Sequence, residues 1–231
     1  MYTKLLNDMT YDLVRLVAAR RGEYWEYLCG ATQQQIKRAI CSHPSLTLLA
    51  HGKYSVVASH RDYPDIVIKV SHCIYDSWLD YAEYAMQNQD DTHVLKVYGI
   101  KKYGGVMYVS IIEKLHSLIE LTWSIDKTNG HSDIEYGEYI DEDHAYEINS
   151  IESCIEQLRN YTKPLELRRY LRNELEWSPI TCRKYMRFLS STIKMYNTLV
   201  SDDYDGPRMD FHEGNVMTRS DGTLVLSDPV H

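Results

Sequence analysis

Apolar residues at Leu5, Leu6, Met9, Leu13, Leu16 and Val17 recur every three to four positions, the stripe of a helix, and the pattern continues through Trp25 and Leu28. A second helical period runs from about Gln33 to Ser42, so residues 1–45 read as a helical N-terminal extension. Residues 46–70 change to apolar runs of strand length and predict three strands. Ile74 to Gln87 predicts a helix behind them, and Val94 to Tyr98 and Val106 to Ile112 predict two further strands, the second opened by Gly104 and Gly105. Two helices follow over residues 164–200, the later one starting at a Ser178 cap with Pro179 as its first residue. Near the C-terminus, Val216 to Leu226 holds two short alternating runs around Ser220, Asp221 and Gly222, which predicts a β-hairpin. The fold class is therefore α+β.

Composition narrows the partners. A chain of 231 residues, 44% hydrophobic, can bury one core or a pair of small lobes. Its net charge of −8 argues against sequence-independent nucleic-acid binding, which needs a basic footprint to displace phosphate counterions. A protein partner or a cationic substrate fits better. The acidic stretch from Asp126 to Glu156 reads first as solvated loop and helix face, and more sharply as a surface for a basic protein. Arg183, Lys184, Arg187 and Lys194 read as a solvated face of the last helix. Cys29, Cys41, Cys73, Cys154 and Cys182 are odd in number and form no C-x-x-C pair, so they read as reduced thiols. No apolar run is long enough for a signal peptide or a membrane span, and the expected location is the cytosol. There is no G-x-x-x-x-G-K-[ST] loop, no H-E-x-x-H pair and no G-x-S-x-G elbow.

The candidate chemistry lies in three acidic or amide side chains. Asn215 stands five positions after Asp210, and Asp228 thirteen after Asn215. In a kinase catalytic loop the first aspartate accepts the substrate hydroxyl proton, the asparagine binds one metal, and the later aspartate binds metal bridging the phosphates. The predicted hairpin between Asn215 and Asp228 brings the two metal-binding side chains to one end of its ladder. Upstream, Leu48 to Val57 resembles a glycine-rich phosphate loop in which Gly52 alone survives of three glycines, with Tyr54 at the tip beside Ser55 and Val57 over the base. Lys69, in the run Ile66 to Val70, matches the third-strand lysine that holds α- and β-phosphates. A lysine among β-branched residues is by itself more often an edge-strand charge, and only the downstream motif favours the catalytic reading.

Together, Gly52 to Ser55, Val67 to Val70, Asp210 to Met217 and Ser227 to Val230 resemble the early serine/threonine protein kinases of podoviruses of the T-seven group. That resemblance implies a two-lobe kinase-like fold: an N-lobe and hinge at 46–115 and a helical C-lobe at 116–231. It implies an enzyme that uses ATP and Mg²⁺ to phosphorylate itself and host proteins in the cytoplasm of an infected bacterium. Lys69 then contacts phosphates, Asp210 is the base, and Asn215 and Asp228 hold magnesium. Glu113 to Leu115 falls at the hinge with its backbone facing adenine. Asp76, Asp80 and Glu83 are the carboxylates that could pair with Lys69, Glu83 having the best reach. Met209 replaces the arginine that many cellular kinases place before the catalytic aspartate, so switching through a phosphorylated activation loop is not expected. The sequence ends at His231, shortly past Asp228, and no activation segment is expected within it. His212 is shared in type with aminoglycoside-phosphotransferase-like enzymes, which keeps a small-molecule kinase open. A kinase-shaped module that inhibits a host protein by binding is the third reading.

Overall fold

The computed structural model describes residues 2–18, 32–72, 77–103, 107–117, 158–200, 208–211 and 213–230. Trp25, Leu28, Asp76, Gly104, Gly105, His212 and the acidic stretch 126–156 lie outside the described residues, as do Cys29, Cys73 and Cys154. The chain divides into two compact units, Met1–Asp76 with Lys96–Lys114, and Ser77–Leu95 with Leu115–His231.

The first unit is a five-stranded antiparallel sheet with two helices on one face. Helix α1 spans Thr3–Ala18 and α2 spans Gln33–Ser42. Strands β1 (Leu46–His51), β2 (Ser55–His60), β3 (Tyr63–Ser71), β4 (Val97–Tyr103) and β5 (Met107–Glu113) lie in the order β1-β2-β3-β5-β4. The predicted helical stripe supplies the core: Leu6, Met9, Leu13 and Val17 of α1 and Ile36 and Ile40 of α2 pack with Ile66, Ile68 and Val70 of β3 and Val109 and Ile111 of β5. The N-terminal helices, expected as an extension, thus share the sheet's own core. A capping box starts α2, in which Thr32 Oγ1 accepts from the Gln35 N–H (3.3 Å) and Gln35 Oε1 accepts from the Thr32 N–H (2.9 Å). Helix α1 approaches β4 so closely that a Cβ at Gly99 would lie 2.9 Å from Leu6 Cδ2.

The fourth strand begins at Val97 rather than at Val94 as its apolar run suggests. Val94 forms instead an isolated parallel bridge with Leu226 in the second unit. The apolar pattern spans both because Val94, Leu95 and Val97 are all buried, each in its own unit. Periodicity records burial and is blind to which core receives the side chain.

His60, at the end of β2, is nearly buried, and its Nδ1 accepts from the Asp62 N–H (3.1 Å). Burial holds its pKa below the usual 6.5, against the opposing pull of Asp62. A histidine kept neutral in the folded state binds fewer protons than in the unfolded one, so stability falls as pH drops below about 6.5 towards the folded value. Thermal midpoints should therefore decline less between pH 7.5 and 5.5 in His60→Asn, whose Oδ1 can replace the Nδ1 acceptor, than in the wild type. Equal declines would remove His60 as a source of acid sensitivity.

The second unit holds α3 (Trp78–Gln87), α4 (Pro164–Asn173) and α5 (Pro179–Leu199), then a 3-10 turn at Glu213–Asn215 and the hairpin β6 (Val216–Thr218) and β7 (Leu224–Leu226). The expected cap is present on α5, where Ser178 Oγ accepts from the Thr181 N–H (3.1 Å) and Pro179 is the first residue. Phe188, fully buried on α5, meets the rings of Phe211 (6.1 Å between centroids) and His93 (5.8 Å). The basic face expected on α5 is exposed at Arg183, Lys184, Arg187 and Lys194, with Lys194 Nζ donating to Asn88 Oδ1 (2.8 Å). Cys41 and Cys182 are free thiols. No helix among the described residues is long and apolar enough to cross a membrane.

Candidate active site

Lys69 sits on β3, the middle strand of the sheet, between Val57 on β2 and Ser110 on β5. It is only 4% exposed. That burial removes the ordinary reading of an edge-strand charge, because a lysine is almost never buried so far unless its ammonium has a defined task or partner. Alternation along the strand sends Ile66, Ile68 and Val70 towards α1 and α2 and Lys69 to the opposite face. Ser55 and Val57 share that opposite face, since their neighbours Val56 and Ala58 belong to the helix-covered core.

The loop from β1 to β2 closes tightly, with the Gly52 N–H donating to the Ser55 carbonyl (2.9 Å). The Gln33 side-chain amide of α2 donates to the Gly52 carbonyl and ties the loop to the helical layer. A Cβ at Gly52 would meet nothing within 4 Å, so space beside the loop is open. Tyr54, 38% exposed at the tip, is held by the ring of His72 (6.4 Å between centroids) and lies under Lys53 Nζ (4.8 Å).

Glu113 ends β5, and the chain leaves the first unit after Lys114. The N–H of Glu113 donates to the Lys96 carbonyl and that of Lys114 to the Asp65 carbonyl, both at 2.9 Å. Those two amides are thus committed to the sheet, and Leu115 is buried. Sequence reading valued Glu113 for its backbone and missed its side chain: Oε1 accepts from the Lys96 N–H (2.7 Å). Only the register of β4 against β5 reveals that role.

The downstream residues form one compact group within the second unit. Met209 bridges Val230 in antiparallel fashion, and the Asp210 N–H donates to the Pro229 carbonyl (2.8 Å). Asp210 is thereby tied to the backbone next to Asp228. Asn215 ends the 3-10 turn, and its Nδ2 donates to the Asp210 carbonyl (2.7 Å). Its own carbonyl accepts from both the N–H (2.9 Å) and the Oγ (3.0 Å) of Ser227. The register of Val216 with Leu226 continues this pairing along the hairpin. Asp210, Asn215 and Asp228 are all partly exposed.

Neighbouring residues brace the hairpin from behind. The Tyr81 hydroxyl of α3 donates to the Leu226 carbonyl and accepts from the Leu95 N–H (3.2 Å). His93 Nδ1 meets the Leu224 carbonyl (2.8 Å), and the Arg219 guanidinium donates to the carbonyls of Thr92 and Val94 (3.2 Å to the latter). At the turn, Gly222 has φ +81°, which glycine adopts without strain. Asp221 accepts from the Thr223 N–H (2.9 Å), a bond that holds its carboxyl below the usual carboxylate range.

Among the described residues no group of three or more His, Cys, Asp or Glu side chains is gathered as a metal site. Magnesium does not need one: it keeps several waters and takes one or two protein oxygens together with substrate phosphates. With Nδ2 spent on Asp210, Asn215 presents Oδ1 as its acceptor, and Asp228 offers a carboxylate, so the donor types fit. On α3, Asp80 and Glu83 are exposed while Tyr81 and Tyr84 are buried.

A search of curated proteins returns no match. The family model described as bacteriophage T7 protein kinase 0.7 matches residues 25–231, a span that contains every residue described above as a candidate for chemistry, and the chain belongs to that family.

Proposed function

We propose that this phage kinase transfers the γ-phosphoryl group of ATP to serine or threonine hydroxyls, on itself and on host proteins in the cytoplasm of an infected bacterium. In this reading the protein has the two-lobe arrangement of protein kinases, with residues 46–115 as N-lobe and hinge, residues 116–231 as C-lobe, and the helices within residues 1–45 completing the core of the N-lobe sheet. What carries it is the pair of backbone ties around Asp210: its N–H on Pro229 and its carbonyl under the Asn215 amide. Two metal-binding candidates and a base candidate are thereby held in one small group, as phosphoryl transfer requires.

Each residue then has a stated task. Asp210 accepts the proton of the substrate hydroxyl and aims its oxygen at the γ-phosphorus. Asn215 Oδ1 and the Asp228 carboxylate hold Mg²⁺, which neutralises phosphate charge. Lys69 fixes the α- and β-phosphates, with Glu83 of α3 as its carboxylate partner. Gly52, Tyr54 and Ser55 cover the phosphates, Val57 covers the base, and Glu113 and Leu115 receive the adenine edge. Little covalent work falls to the protein, and the acceleration comes from positioning and charge.

Incubating the protein with γ-labelled ATP, Mg²⁺ and a bacterial lysate tests this. Label is expected on serine or threonine of the protein itself and of a few lysate proteins. Label in the low-mass fraction would instead identify a small-molecule phosphotransferase. No transfer by a preparation that binds Mg²⁺-ATP would identify a binding module.

A further inference from the structure

Among the described residues, the Lys69 face of the sheet carries the Ser71 and Ser110 hydroxyls without a hydrogen-bond partner. Ser71 and Ser110 are both fully buried, and neither Oγ has a hydrogen bond. Ser110 is the direct cross-strand partner of Lys69, and Ser71 lies two residues along β3 on the same face. Their neighbours Val70, Val109 and Ile111 point the other way, into the core beneath α1 and α2. A buried hydroxyl without a partner is costly, and alanine or valine at either position would remove the cost while continuing the apolar composition of both strands.

A buried ammonium has the opposite need. It brings three donors and no acceptor, and each donor taken out of water requires an oxygen nearby. We propose that Ser110 is a positioning residue for Lys69: its hydroxyl holds one buried water, shared with Ser71, that accepts from the Lys69 ammonium, and so sets where that ammonium meets the phosphates. A buried water is held by two to four polar groups, and Ser71, Ser110 and Lys69 supply three. The inference rests on the reading of Lys69 as the phosphate ligand.

Two measurements on Ser110→Ala and Ser110→Thr test it. The first is KM for ATP against kcat in Mg²⁺. The second needs no nucleotide: the rate at which Lys69 is acylated by an amine-reactive ester at fixed pH, read by peptide mass spectrometry. Loss of an acceptor to a charged donor corresponds to about a tenfold effect. Ser110→Ala is therefore expected to raise KM for ATP about tenfold with kcat changed less than about twofold, the pattern of lost ground-state binding. It should also speed acylation of Lys69 severalfold, because the ammonium has lost an oxygen that stabilises its charge. Ser110→Thr keeps the hydroxyl and should restore both values. Wild-type KM and acylation in Ser110→Ala would overturn the proposal, as would equal effects of alanine and threonine, which mark packing. Should the wild type bind no Mg²⁺-ATP, the phosphate role of Lys69 fails, while the acylation rates still decide whether Ser110 holds the ammonium.

Discussion

Asp210→Asn is expected to lower phosphoryl transfer by roughly 10²- to 10⁴-fold, the span that a positioned general base contributes. The substitution keeps shape and removes the basic oxygen. It should leave the local fold intact because two main-chain hydrogen bonds of residue 210, N–H to Pro229 and carbonyl from the Asn215 amide, do not depend on its carboxylate. If Asp210 acts on the hydroxyl and not on the metal, as proposed, affinity for Mg²⁺-ATP should change little. Steady-state rates alongside a nucleotide titration separate the two quantities. A variant as active as the wild type would refute the assignment.

Asp228→Ala should instead abolish most Mg²⁺-dependent nucleotide binding, by about 10²-fold or more, since in the proposed arrangement it deletes the one carboxylate in a two-residue donor set. Removing a group that merely orients a metal ligand already costs about 10- to 100-fold. Titrating ATP with and without Mg²⁺ measures the effect: the wild type should show a large difference between the two conditions, and Asp228→Ala almost none. Lys69→Ala should weaken ATP in both conditions, because in the proposed arrangement its charge meets phosphate. A Mg²⁺ dependence unchanged in Asp228→Ala would move the metal elsewhere. Circular dichroism should show the variant folded, as main-chain bonds of Pro229, Ser227 and Leu226 organise this corner.

Most of the secondary structure was legible, and where the reading slipped the reason is physical. The cap of α5, the stripe of α1 and the hairpin after Asn215 rest on signals within a few residues of one another. Caps, 3.6-residue periods and glycine turns are local devices. The start of β4 was misplaced because Val94 and Leu95 are as apolar as the strand that follows, yet pack in the second unit. Helix α3, expected behind the strands, belongs to the second unit, while α1 and α2 cover one face of the sheet. An amphipathic stripe states that a helix has an inner face without naming the surface that receives it.

By itself the sequence determined the α+β class, the capped and periodic helices, the hairpin turn at Gly222 and the spacing of Asp210, Asn215 and Asp228. Those properties are carried by neighbouring residues, whose geometry covalent connectivity and staggered side chains already limit. Tertiary structure alone decided that Lys69 lies on the middle strand and is buried, since edge and centre differ only by which strands pair on either side. It also decided the Lys96 contact of the Glu113 carboxylate, the Pro229 tie of Asp210 and the isolation of the Ser71 and Ser110 hydroxyls. Each joins or isolates groups far apart in the chain, through a register that cooperative packing selects and no short window of residues encodes.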